Sequence, residues 1–122
     1  MTDTAGAHHG IDYVELMVTD MDLAKRFYGR AFGWTFHEYG PGYTGYVDGA
    51  RGDREAGGLR LVDEVAPGGP LVILYSSDIE ASAAAVREAG GTIVADIFEF
   101  PGGRRFELED PFGTRLGVWT PR

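Results

Sequence analysis

Cysteine is absent from this 122-residue chain. That absence excludes disulfide staples, thiolate metal sites and a thiol nucleophile, and it suits a reducing cytoplasm. Long apolar runs are missing too. The longest, Leu71 to Tyr75, falls far short of the roughly 20 residues that a membrane-spanning helix needs. The stretch Met1 to Gly10 is polar and small, without the apolar segment of a secretory signal, and is expected to be a mobile tail. Basic residues are few: 11 Lys and Arg stand against 19 Asp and Glu, for a net charge of −8. They are scattered, with only short pairs such as Arg104-Arg105, whereas nucleic acid requires a concentrated basic surface. An acidic surface chiefly keeps a protein soluble, and it also attracts a cationic ligand.

What is present suits one domain. A chain of this size buries roughly 65–70% of its unfolded surface, enough for a core without staples. Hydrophobic residues at 43% and charged residues at 25% are ordinary for a globular protein. Two helix signals stand out. Thr19-Asp20-Met21-Asp22 is close to a capping box, followed by Met21, Ala24, Phe27, Tyr28 and Ala31 at helical spacing and a stop at Gly33. Ser77-Asp78-Ile79-Glu80 is a full capping box, followed by Ile79, Ala83, Val86 and Ala89 and a stop at Gly90-Gly91. The two signals lie 58 positions apart.

Strand patterns precede each helix, at Tyr13 to Val18 and Leu71 to Tyr75, and Pro-Gly turns at Pro41-Gly42 and Pro101-Gly102 follow. An internal duplication accounts for the shared order of cap, stripe, stop and turn. The reading predicts strands near 12–18, 34–40, 43–48, 57–62, 71–76, 92–100, 104–109 and 114–119, with helices near 20–32 and 78–89. The fold class is α+β: two tandem β-α-β-β-β modules, 11–64 and 71–120, joined by the Pro- and Gly-rich linker 65–70, forming a curved mixed sheet around a cleft. Asp110-Pro111-Phe112-Gly113 is a type I turn signature. In the first strand, Val14, Leu16 and Val18 pack on the helix, so Tyr13, Glu15 and Met17 face the other way. A carboxylate there argues against an all-dry face.

These residues resemble the vicinal oxygen chelate superfamily of glyoxalase I, bleomycin-resistance proteins and extradiol dioxygenases. The carrying segments are Glu15 to Asp20, Ala24 to Tyr28, Phe32-Gly33-Trp34, Asp110 to Gly113 and Leu116 to Trp119. The resemblance runs from about residue 10 onward and is nearest to the glyoxalase-related branch of unassigned function. Metalloenzymes of that superfamily place His, Glu or Gln ligands on the first and last strands of each half. Here the matching positions carry Tyr13, Leu71, Gly117 and one of Gly58, Leu59 or Arg60. None is an ordinary ligand for a divalent ion, so the expectation is a cleft without a metal cofactor.

Other candidates are weighed by residue. Glu15 is either a general base or an anchor for a ligand amine, or it is ion-paired with Arg115 or Arg60. His8 and His9 belong to the expected tail, and His37 to an exposed or hydrogen-bonded strand position. Glu107 and Glu109 read as a solvated edge, and Gly57-Gly58 and Gly68-Gly69 as turns or bulges. Phe27, Tyr28, Phe32 and Trp34 read as core. Tyr13, Glu15, Met17, Leu71, Ile73, Tyr75, Phe106, Gly117 and Trp119 are expected to line the ligand site. The expected protein is a cytoplasmic small-molecule binder for an aromatic or cationic ligand, without nucleic-acid or membrane partners. The alternative is a glyoxalase-related lyase, isomerase or hydrolase, with Glu15 as base or with a divalent metal held at a site of non-standard composition. Open sheet edges and the short stiff linker point to a homodimer with halves paired or exchanged between chains.

Overall fold

The computed structural model describes residues 6–121. Its elements run β1 (Ile11–Val18), α1 (Met21–Phe32), β2 (Thr35–Glu38), β3 (Tyr43–Val47), β4 (Gly57–Leu61), β5 (Leu71–Tyr75), α2 (Ile79–Glu88), β6 (Thr92–Phe100), β7 (Gly103–Glu109) and β8 (Arg115–Pro121). This is the α+β class with the doubled β-α-β-β-β order that the sequence predicts. The chain divides into two compact units, one from Tyr13 to Pro70 and one joining the residues up to Asp12 with those from Leu71 onward. The division therefore falls inside β1.

The first unit is a mixed sheet in the order β2-β3-β4-β1. β1 and β4 are parallel, and the other pairs are antiparallel. α1 covers one face. Ala24 of α1 packs with Tyr46 and Leu59, flanked by Leu16, Val18, Met21, Tyr28, Trp34 and Phe36. Trp34 stacks on Tyr28 at 4.8 Å and on Tyr46 at 4.3 Å between ring centres. Phe27 and Phe32, expected in the core, are exposed instead. Ala24 and Tyr28, one turn apart, point at the sheet, so Phe27 shares the outward side with Leu23.

The second unit repeats the plan in the order β5-β8-β7-β6. Ile79 and Ala83 of α2 pack on Phe106, Leu108 and Val118, with Leu74, Val86, Ile93, Ile97 and Leu116 around them. The turn signature is realised: the Gly113 amide donates to the Asp110 carbonyl, and the Asp110 side chain accepts from the amides of Phe112 and Thr114.

Both helix caps fall one residue later than the box spacing predicts. Asp20 accepts from the Leu23 amide at 3.0 Å, and Asp78 from the Ala81 amide at 3.2 Å. Ser77 is thereby left to bond His8, whose Nδ1 lies 2.9 Å from the Ser77 amide nitrogen. His9 Nε2 lies 2.9 Å from the Ser82 hydroxyl, which in turn reaches Ser76. The His9 amide donates to the Tyr75 carbonyl, and the Tyr75 amide to that of Gly10. Residues 8–10 are thus laid along β5 rather than forming the loose tail expected of 1–10, because the backbone groups of β5 recruit them. Residues 1–5 lie outside the described residues.

Candidate functional site

The face of the first unit opposite α1 gathers most of the polar chemistry. Register places Glu15 opposite Gly58, and Gly58 opposite Gly45, so three neighbouring strands meet in one row. His37 on β2 completes that row opposite Gly45. The two glycines clear room above the sheet. A methyl on Gly45 would sit 2.4 Å from the Glu55 carboxyl carbon, and one on Gly58 would sit 2.0 Å from the Tyr43 hydroxyl. Glu55 and Tyr43 therefore lie flat across positions where any other residue would stand up.

Two carboxylates anchor the site. Glu15 is 3% exposed although it lies on the side away from the helix core. The Tyr43 hydroxyl donates to its Oε2 at 2.8 Å. Glu55 accepts from the Tyr13 hydroxyl on Oε1 at 2.9 Å and from Tyr39 on Oε2, where His37 Nδ1 also lies at 2.9 Å. The loop before β4 holds Glu55 in place: Arg51 donates to its main-chain carbonyl, and the next residue's amide, Ala56, donates to the Tyr46 carbonyl.

Sequence reasoning brought Tyr13, Glu15 and Met17 to this face by strand alternation. It missed Glu55, which read as part of a polar loop, and Tyr43 and Tyr39, which flank a turn. The available signal was the paired glycines. Gly57 and Gly58 lie inside β4 and not in a turn, and small residues side by side on neighbouring strands mark space for something laid over them. The Glu15 acceptor is met by Tyr43, while Arg115 pairs with Glu107 and Glu109.

Burial pushes the Tyr13 hydroxyl far above the usual phenol range, helped by the neighbouring Tyr43 and Glu55. Tyr39 is pushed up to about 12, by burial first and then by its bond to Glu55. Tyr46 is likewise pushed up to about 12, by burial and then by Asp48. An unfolded tyrosine ionises near pH ~10. Above that pH the unfolded chain gives up protons that the folded chain keeps. The stabilisation is full below pH ~10 and is lost as pH rises through the folded values. The urea midpoint should therefore drop steeply from pH ~10 to ~12, and Tyr13→Phe should flatten the drop. A midpoint flat across that range in the parent protein would contradict the network.

In the second unit the residues expected at the ligand site part company. Leu71, Ile73, Gly117, Tyr75 and Trp119 occupy the face opposite α2 by register and alternation. Tyr75 meets Trp119 edge-on at 6.1 Å, and the Trp119 indole donates to buried Asp12 at 2.9 Å. Phe106 does not join them. It is fully buried in the α2 core, because its register partner is Val118 and both point at the helix. Its neighbours Arg105 and Glu107 take the opposite face, bonded at 2.7 Å, so Glu107 is a paired and largely buried carboxylate rather than part of a solvated edge.

The positions matching metal ligands do not fit that role. Tyr13 holds its proton and donates it to Glu55, Leu59 is buried beneath α1, and Gly58 offers no side chain. Leu71 and Gly117 carry no donor atom on their side chains. Among the described residues no group of three His, Asp or Glu is placed to hold a metal ion.

Comparison with known proteins gives a consistent setting. The family model described as the Glyoxalase/Bleomycin resistance protein/Dioxygenase superfamily matches residues 10–118. A curated relative, named "Putative glyoxylase CFP32", from Mycobacterium bovis is 28% identical over 117 residues, covering 88% of this chain and 44% of the relative. The chain thus spans less than half the length of the curated relatives it matches. Among solved structures, the Mn(II)-bound glyoxalase from Novosphingobium aromaticivorans is similar with a TM-score of 0.70 and 24% identity, covering 93% of this chain and 39% of that one. A Streptomyces coelicolor methylmalonyl-CoA epimerase is similar with a TM-score of 0.71 and 18% identity, covering 94% and 99%. These likenesses concern the fold.

Proposed function

Because the chain belongs to the glyoxalase/bleomycin resistance protein/dioxygenase superfamily, we propose that it binds a small organic molecule over the Tyr13–Glu15 face of its first unit, without the divalent ion of the superfamily's metalloenzymes. The observation that carries this reading is Glu15. A carboxylate 3% exposed on the side away from the helix core is costly unless that side has polar work to do. Tyr43 and the Tyr13–Glu55 pair surround it with aromatic walls and polar tips, the composition of a small-molecule site. Leu71, Ile73, Tyr75, Gly117 and Trp119 are proposed as an apolar ligand surface of the second unit in its own right. The role is sequestration or resistance, carried out by a cytoplasmic homodimer. Absence of cysteine supports the compartment, and open sheet edges support the pairing.

A ligand screen by thermal shift tests this reading. A specific binder at a hundredfold excess over its Kd adds about 2.7 kcal/mol, several degrees in melting temperature. Silence across a chemically broad set of aromatic compounds would remove its support. Light scattering tests the pairing: a particle of one 13.2 kDa chain contradicts the homodimer.

A second reading is favoured by the Glu15–Tyr43 contact, which gives a buried carboxylate an adjacent proton carrier. In it the protein is a lyase, isomerase or hydrolase with Glu15 as general base or with a divalent metal at a site of non-standard composition. Elemental analysis of purified protein, followed by activity assays with and without added Mn, Ni, Zn or Fe, separates the two. Stoichiometric metal would overturn the metal-free reading.

A further inference from the structure

From the outward side of α1, we infer that a second copy of this chain docks there, its own α1 lying antiparallel across the helix about a twofold axis. The inference rests on the homodimer reading and names the surface that the pairing uses.

Ala24 and Tyr28 take the side of α1 that packs on the sheet, and the outward side is not the polar one that such a helix ordinarily turns to solvent. Leu23 is 52%, Phe27 55% and Phe32 63% exposed, and the rings of Phe27 and Phe32 meet edge-on at 6.1 Å. Scattered exposed apolar residues are ordinary, whereas several side by side on one helix mark a contact surface. Leu23, Arg26, Phe27, Arg30 and Ala31 line a shallow groove along it. Two of these are cations without a counter-charge. Lys25 reaches Glu38, and Arg87, Arg104, Arg105 and Arg115 each pair with a carboxylate. Arg26 and Arg30 are exposed and have no ion pair among the described residues. Arginine beside phenylalanine is a composition that interfaces favour.

Charge decides the occupant and its direction. Asp22 stands in the first turn of α1 and Arg30 in the last, on the row Asp22, Arg26, Arg30 that runs beside Leu23, Phe27 and Ala31. A parallel copy would set aspartate against aspartate and arginine against arginine. An antiparallel copy sets each Asp22 by the partner's Arg30, lays each Phe27 near the partner's Arg26 and opposes the two helix dipoles. A second copy thus supplies the apolar cover and the carboxylate together. An anionic membrane supplies both too, but it repels a chain of net charge −8. The 12-residue helix is about 18 Å long. Such a contact covers less than the roughly 800 Å² per partner of a standard interface, so the dimer exchanges reversibly at micromolar concentration.

Sedimentation of the full chain from about 1 to about 200 μM reads the equilibrium. The parent is expected to pass from 13.2 kDa toward twice that mass. Phe27→Glu should hold it at one chain throughout. Asp22→Lys and Arg30→Asp should each weaken the dimer at least about tenfold, because the twofold axis doubles every change. The double variant Asp22→Lys/Arg30→Asp should recover most of that loss, a rescue that a merely damaged helix would not show. Circular dichroism confirms that each variant is folded. If the parent dimerises and Phe27→Glu and both single reversals leave the dimer intact, the pairing stands and the α1 surface is overturned. If the single reversals weaken it and the double variant recovers nothing, the antiparallel docking is overturned. A parent of one chain at about 200 μM overturns both readings. Movement of the Leu23 and Phe27 amides on titrating vesicles of phosphatidylcholine and phosphatidylglycerol would then give the face to an anionic membrane instead.

Discussion

Gly57→Ala is expected to destabilise the protein by about 3 kcal/mol or more, lowering the melting temperature by roughly 10 °C. A methyl built at Gly57 would lie 1.8 Å from the Val14 carbonyl oxygen and 2.4 Å from the Tyr46 hydroxyl. Neither can yield cheaply. The Val14 carbonyl is main chain, and it accepts the Tyr46 hydroxyl at 2.8 Å, while the Val14 amide is tied to Ala56. Tyr46 in turn is stacked on Trp34 in the α1 core. The added methyl must therefore part β1 from β4 or unseat a core ring. Gly45→Ala is the matched control. The three atoms nearest its methyl all belong to the Glu55 carboxylate, the far end of a flexible side chain that can swing away. That variant should keep its melting temperature within a few degrees while losing the hold of Tyr13, Tyr39 and His37 on Glu55, and with it ligand binding over that face. Equal stability losses in the two variants, measured by thermal unfolding, would contradict the assignment of Gly57 to packing and Gly45 to the site.

That contrast also shows what the sequence could and could not convey. The helices, the strands and their doubled β-α-β-β-β order were legible because each depends on neighbours in the chain: a cap, an apolar stripe, a glycine stop, a Pro-Gly turn. Gly33 ends α1 with a φ of 75°, as its place after the stripe implied. Glu15 was legible for the same reason, since strand alternation alone separates it from Leu16. Glu55 was not. Its importance comes from lying over Gly45, ten residues away in sequence, and from three partners: Tyr13 on β1, His37 on β2 and Tyr39 just past the end of β2. No local pattern marks a loop carboxylate that folds back over a sheet. The aromatic residues of α1 failed differently. Phe27 and Tyr28 are both large and apolar, and adjacent positions on a helix differ by about 100° in direction, so only the sheet's position decides which is buried. Phe106 shows the same weakness on a strand. Alternation divides β7 into two sets but does not say which set meets α2.

Phe106→Ala settles that last assignment by the kind of damage it does. A residue lining an open ligand site can be trimmed with little effect on stability and a loss of affinity. Phe106 is fully buried among Ile79, Ala83, Leu108 and Val118. Truncating a phenylalanine in such a place removes its transfer free energy and leaves a cavity, about 3–5 kcal/mol together. For a domain of this size the melting temperature should fall by roughly 10–20 °C. Collapse around the hole is restricted on two sides. β7 is bonded along its length to β6 and β8, and the facing Ile79 sits at the capped start of α2, where Asp78 fixes the first turn. The loss should thus lie toward the upper end of that range. Phe106→Leu retains most of the volume and should cost less than half as much. Urea titration of the three proteins gives the comparison, with an unchanged slope confirming that the same surface unfolds in each. A Phe106→Ala protein within about 1 kcal/mol of the parent would return Phe106 to the ligand-facing side and put the register of β7 against α2 in error.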